Sequence, residues 1–157
     1  MAVLTQDQIT QFRRDGVLTM ENAVTPRLLA ALRADFAVWV DESRKQTAPY
    51  GDALDGRPRF DLQPGHTADI PGLRRVQAPT EISKAYYEAM ADSAMTDMVA
   101  DLIGPDVKLH HTKINSKQPG TYTQVKWHQD FPYTPHTNSD LVTALLMIDE
   151  VTPENGP

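Results

Sequence analysis

The chain contains no cysteine, which excludes disulfide bonds and thiolate metal ligands. Any metal that it binds must therefore be held by nitrogen and oxygen atoms. Basic residues are also scarce, with 15 Lys and Arg against 21 Asp and Glu and a net charge of −6. Because binding to phosphates needs a basic surface stripe, this balance argues against a nucleic-acid partner.

Long apolar runs are absent as well. The first residues have neither a basic region nor an apolar stretch, so we expect no signal peptide and no contact with a membrane. A cytoplasmic location is the expectation that follows. The composition, 40% hydrophobic and 23% charged over 157 residues, is that of one ordinary globular domain.

The segment 5–104 carries helix signals. Thr5 begins a capping box and Gly16 suits a left-handed C-cap, which together predict a first helix. Thr25 and Pro26 predict the start of a second helix. Apolar residues then recur at helical spacing and predict its buried stripe: Leu28, Leu29, Leu32, Phe36, Trp39 and Val40.

Residues 45–79 are rich in proline and glycine and indicate one long irregular loop. Such a loop would serve as a lid or as a wall of a substrate pocket. Helical spacing resumes after Thr80, which is predicted to cap a third helix. Ser93 is predicted to cap a fourth helix that ends at Gly104.

From residue 107 onward the apolar period changes from that of a helix to two. Residues 107–115, 121–129 and 141–148 are each predicted to form strands, with turns between them. Helices followed by consecutive strands indicate a single α+β domain over residues 1–157, with an antiparallel sheet.

The motif Trp-His-Gln-Asp at residues 127–130 carries the most chemical information. In a strand, His128 and Asp130 would point to the same face. One imidazole and one carboxylate make up two-thirds of the 2-His-1-carboxylate triad that binds Fe(II) in non-heme oxygenases. A His-x-Asp pair is also typical of surface turns. A zinc hydrolase is disfavoured, because neither His-x-His nor His-Glu-x-x-His accompanies the pair.

Four segments add to this signal: Leu4 to Gly16, Arg75 to Gln77, His111 to Asn115, and Lys117 to Pro157 with its Trp-His-Gln-Asp and Glu-Asn-Gly motifs. Together they resemble the phytanoyl-CoA dioxygenase family. The resemblance implies a double-stranded β-helix, a jelly-roll or cupin-like fold, with N-terminal flanking helices. It also implies Fe(II), 2-oxoglutarate and O₂, and hydroxylation of a small organic substrate coupled to decarboxylation of 2-oxoglutarate to succinate.

The resemblance further implies roles for individual residues. His128 and Asp130 would be the metal ligands, and the presence of a carboxylate favours hydroxylation over halogenation. Tyr133 would border the substrate. Contacts to 2-oxoglutarate are implied for Arg75, Lys113, Lys126 and Leu146. The simpler interpretation of these four positions is solvent-facing basic side chains and a plain core leucine.

A second metal-binding His and an Arg for the C5 carboxylate of 2-oxoglutarate are implied well beyond the Asn-Gly at residues 155–156. A replacement ligand from His66, His110, His111 or His136 is not expected. The chain therefore resembles the N-terminal portion of a longer protein, truncated before the later core strands. The alternative to an enzyme is a catalytically incomplete fragment or pseudoenzyme that acts as a binding or assembly module.

Overall fold

The structure, a computed structural model, describes residues 3–53, 55–119, 125–138 and 140–154. These residues form four α-helices, one 3-10 turn (Pro79–Glu81) and four strands, so the α+β class is confirmed. The helices are α1 (Gln6–Asp15), α2 (Pro26–Ser43), α3 (Lys84–Ala91) and α4 (Ala94–Ile103). The strands are β1 (Tyr50–Asp52), β2 (Pro58–Leu62), β3 (Leu73–Gln77) and β4 (Lys113–Asn115).

The first helix begins and ends, and the second begins, where the capping residues predict. The Thr5 hydroxyl accepts from the Gln8 amide at 3.3 Å, and the Gln8 side chain accepts from the Thr5 amide at 2.8 Å. Gly16 closes α1 with a φ of 74°. Thr25 caps α2, and Pro26 is its first residue. Among the described residues, no helix combines the length and the apolar character that crossing a membrane requires.

The predicted Thr80 cap is wrong. Thr80 lies inside the 3-10 turn, and its hydroxyl is 3.0 Å from that of Thr112. Ser83 caps α3 instead, because its hydroxyl accepts from the Tyr86 amide at 3.1 Å. Ser93 does precede α4, but its hydroxyl donates to the Ala89 carbonyl rather than capping the new helix.

The predicted irregular loop over residues 45–79 is also wrong, because β1, β2 and β3 lie within it. They form an antiparallel sheet with β4 in the order β1-β2-β3-β4. Pro58 is tolerated because it stands first in its strand, where no ladder donor is needed. The strands are short, and the turns between them hold much of the proline and glycine. Local proline and glycine content therefore gave no sign of them.

Of the strands predicted after residue 107, the described residues contain only β4. Residues 121–124 lie outside the described part, and residues 125–129 and 141–148 have no strand assignment. A strand needs a ladder partner, and of the described residues after 107 only those of β4 pair with another strand, which is β3. The period of two persists in burial, since Leu146 packs against the core while Leu145 and Met147 are exposed.

The core lies on one face of the sheet, under α2 and α3. Leu32 on α2 and Val76 on β3 are fully buried. The Trp39 ring centroid is 5.4 Å from that of Tyr86 and 6.1 Å from that of Phe60, which joins α2, α3 and β2. Tilted aromatic pairs of this kind add roughly 1 kcal/mol each to the area that they bury. Five of the six residues of the predicted apolar stripe of α2 are confirmed as core or as packed against it, and Leu29, which is half-buried, is the exception.

Candidate functional site

The face of the sheet opposite the core is polar. Val76 pairs with Phe60 and Ile114 in a row that faces the core. Because neighbouring strand residues alternate in direction, the next row points the other way. We call this side the polar sheet face, and its residues are Arg59, Asp61, Arg75, Gln77, Lys113 and Asn115.

Arg75 sits at the centre of the polar sheet face. It is paired with Asp61 on β2 and with Asn115 on β4. Its Nε atom is buried and has no hydrogen-bond partner among the described residues. The Asp61 carboxylate forms an ion pair with Arg74, at 3.6 Å. A buried cationic donor without an acceptor is costly, so this position favours an anion as its partner.

Arg59 differs from Arg75 because all of its nitrogen atoms have acceptors. Its guanidinium donates to the backbone carbonyls of Asp52, Gln77 and Ala78, at 2.9 to 3.2 Å. It also donates to the Glu81 carboxylate at 2.6 Å. Arg59 therefore fixes the backbone of the sheet and keeps no free donor for a ligand.

The side chains of His128 and Asp130 lie close together, although residues 125–129 do not form the strand on which this convergence was predicted. The distance between His128 Nε2 and Asp130 Oδ1 is 3.3 Å. His128 Nδ1 lies 2.7 Å from the Lys126 carbonyl oxygen, which can only accept. Nδ1 therefore donates to this carbonyl, which leaves Nε2 as the ring nitrogen that faces the carboxylate. That arrangement suits a cation held between the two groups.

The charges around His111 oppose one another. Burial lowers the pKa of His111, and the charges of His110 and Lys113 lower it further. The negative charge of Asp130 has a smaller effect in the opposite direction. His111 was not predicted as a site residue, and it lies two residues before β4.

The other predicted residues lie in different surroundings. Lys113 is exposed on β4, and Lys126 is exposed beside the motif. Tyr133 is 78% exposed. Leu146 packs against the hydrophobic core, as a plain core leucine would.

The described residues supply only part of a metal-binding site. Residues 3–53, 55–119, 125–138 and 140–154 contain no group of three or more His, Asp or Glu placed to hold one ion. His128 and Asp130 supply one nitrogen and one oxygen donor, which are ligand types that non-heme Fe(II) uses. The pair thus fits two positions of a facial triad.

Comparison with known proteins supports this chemistry. The family model for phytanoyl-CoA dioxygenase (PhyH) matches residues 12–157. A probable alpha-ketoglutarate-dependent hypophosphite dioxygenase from Stutzerimonas stutzeri is 34% identical over 98 residues, which cover 62% of this chain and 33% of the relative. The L-proline trans-4-hydroxylase of Streptomyces griseoviridis is 27% identical over 111 residues, or 68% of this chain and 40% of that protein.

An ectoine dioxygenase from Stutzerimonas stutzeri (strain A1501) is 23% identical over 161 aligned residues, which cover 99% of this chain and 49% of the relative. The chain thus spans between 33% and 49% of the length of these relatives. No solved structure matches the chain significantly. The family match extends over most of the sequence and confirms the resemblance carried by the motifs, so the chain belongs to the phytanoyl-CoA dioxygenase family.

Proposed function

We propose that this chain is part of an Fe(II)- and 2-oxoglutarate-dependent oxygenase that hydroxylates a small organic substrate. The observation that carries the proposal is the convergence of His128 Nε2 and Asp130 Oδ1 at 3.3 Å, with the Nδ1 proton directed to a backbone carbonyl. When bound, the iron, 2-oxoglutarate and O₂ supply oxidative decarboxylation to succinate and CO₂ coupled to hydroxylation.

His128 would bind the metal through Nε2, since the Lys126 carbonyl holds the proton on Nδ1. Asp130 would supply the carboxylate and offset part of the metal's charge. The third ligand, a distal His, is proposed to belong to a part of the family domain that lies outside this chain. The limited share of the relatives' length that the chain spans supports this view.

The polar sheet face is the proposed binding surface for 2-oxoglutarate. The unpartnered Nε of Arg75 would donate to a carboxylate of the co-substrate. Lys113 and Lys126 would add positive charge. Leu146 would contribute by packing, because it already belongs to the margin of the core. Tyr133 would face the substrate from its exposed position.

A small substrate is favoured over a long acyl chain. The relatives are named for hypophosphite, L-proline and ectoine, which are all small molecules.

Features of the fold also support the proposed oxygenase. The antiparallel sheet has helices on one face and polar groups on the other, as one half of a jelly-roll within a single domain would. A cytoplasmic location stays a prediction from the sequence.

Metal binding tests the proposal directly. Mn(II), a redox-stable stand-in for Fe(II), would be titrated against the chain and followed by paramagnetic broadening of NMR signals. We expect the His128 and Asp130 signals to broaden first, and the effect to disappear in His128→Ala and Asp130→Asn. His110→Ala, which changes an exposed histidine outside the proposed ligand pair, is the matched control for metal binding to imidazole in general. Binding that is unaffected by both motif substitutions would contradict the proposed function.

A further inference from the structure

The backbone carbonyl of Asp130 is held by an unusual number of donors for an exposed segment. It accepts from the amides of Tyr133 and Thr134, at 2.8 and 3.0 Å. The Thr134 hydroxyl donates to the same oxygen at 3.2 Å. We call residues 130–136 the Asp130 turn. Its hydrogen bonds converge on the residue that carries the proposed metal-binding carboxylate.

A second set of contacts closes the Asp130 turn. His136 Nδ1 donates to the Thr134 carbonyl at 2.9 Å. The His136 ring meets the Phe131 ring edge-on, with centroids 5.0 Å apart and planes at 78°. Thr134 and His136 are half-buried, whereas residues 131–133 are exposed. The two polar side chains that turn inward are therefore the ones that support the backbone next to Asp130.

We propose that Thr134 and His136 are positioning residues that hold the Asp130 carboxylate beside His128. The inference rests on the proposed function, in which Asp130 binds the metal. A fixed backbone at Asp130 limits where its carboxylate can go, so less conformational freedom is lost when a cation binds. Thr134 acts on the Asp130 carbonyl directly, and His136 acts through the Thr134 carbonyl. Such support is what keeps a ligand in its productive geometry.

The first experiment needs no metal. NMR would measure the Hα–Hβ couplings of Asp130 and the amide exchange rates of Tyr133 and Thr134 in Thr134→Val, which keeps the shape but lacks the hydroxyl. We expect the Asp130 Hα–Hβ couplings to move towards the values of a freely rotating side chain. The amide protection should fall roughly fivefold, which is the effect of losing one net hydrogen bond. His136→Phe keeps the ring contact but lacks the donor, and should act in the same direction.

Two further variants separate positioning from general structural damage. Thr134→Ser retains the hydroxyl and should restore the Asp130 couplings. Thr137→Val makes the same chemical change at an exposed threonine that directly follows the Asp130 turn, and it should leave the couplings unaltered. Wild-type couplings in both Thr134→Val and His136→Phe would overturn the positioning role.

Mn(II) affinity of the same variants supplies the second readout. Thr134→Val should bind Mn(II) about fivefold more weakly, and Thr134→Ser should bind it like the wild type. If Mn(II) binding in the wild type does not depend on His128, the proposed function fails while the couplings still decide the positioning role. If the couplings average but the affinity is unchanged, the Asp130 turn does not act on the metal and the inference is wrong.

Discussion

Arg59 donates from Nη2 to Glu81 Oε2 across 2.6 Å, and this ion pair ties β2 to the 3-10 turn that follows β3. The Arg59 side chain is 8% exposed, whereas that of Glu81 is 33% exposed. Among the described acceptors of the buried Arg59 guanidinium, only the Glu81 carboxylate carries a negative charge. The others are backbone carbonyls.

Glu81→Ala should therefore destabilise the fold. Removing one partner of a fully buried pair costs about 3–5 kcal/mol, and partial exposure of Glu81 reduces this to roughly 2 kcal/mol. Urea unfolding followed by the fluorescence of buried Trp39 would measure the free energy. Asp55→Ala is the matched control, because it removes the partner of the exposed Arg57 and should have little effect. Equal losses in both variants would contradict the special role of the Arg59 pair.

Tyr50→Phe should leave stability unchanged or raise it by up to about 1 kcal/mol. The Tyr50 hydroxyl is buried without a hydrogen-bond partner among the described residues, and burial followed by the charge of Glu42 raises the pKa of Tyr50 to about 12. Tyr86→Phe is the paired variant. Its hydroxyl donates to the Leu32 carbonyl at 3.3 Å, so we expect a loss of about 0.5–1 kcal/mol. Thermal unfolding of both variants should give opposite signs, and a clear loss in Tyr50→Phe would refute the prediction.

The anchoring of the N-terminal segment should depend on pH. The amides of Leu4 and Val3 donate to the Asp101 carboxylate and lower its pKa from the usual value near 3.8. Because the folded pKa lies below the unfolded one, the stabilisation is present above pH 3.8 and is lost as the pH falls through the folded value. The melting-temperature difference between wild type and Asp101→Asn should shrink over that range. Asp106→Asn, in an exposed loop, should show no such trend.

Arg75→Met should affect stability and co-substrate binding in opposite directions. The substitution removes a buried cationic donor that has no partner in the part of the chain that the structure describes, so the ligand-free chain should be at least as stable as the wild type. The affinity for 2-oxoglutarate should fall by at least roughly tenfold, the effect of one charge-assisted hydrogen bond. Calorimetric titration in the presence of Mn(II) would measure it. Arg74→Met, whose partner Asp61 lies on the sheet, is the control that should bind normally.

The sequence predicted the features that depend on neighbouring residues. The capping box at Thr5 and the Thr25-Pro26 start of α2 are local hydrogen-bond arrangements, and both are confirmed. His128 and Asp130 also lie close together and are close along the chain, although they do not lie in the strand that was predicted for them. Local hydrogen bonds alone were enough to predict the two helix starts.

Features that depend on distant residues escaped prediction. The strands β1 to β3 are stabilised by pairing with one another, and the proline and glycine residues around them were interpreted as signs of a loop. The orphan Nε of Arg75 could not be foreseen, because burial of a single atom depends on how the sheet is covered.

The two faces of the sheet have different roles, because neighbouring side chains along a strand point to opposite faces. Residues that face α2 and α3 contribute the apolar burial that stabilises the fold. Their immediate neighbours along each strand lie on the polar sheet face instead. Substitutions on the two sides share few contacts, so their effects on stability should be close to additive. A library of variants at Lys113 and Asn115 could therefore explore new ligand preferences with little loss of folded protein, which makes this surface a practical starting point for altering specificity.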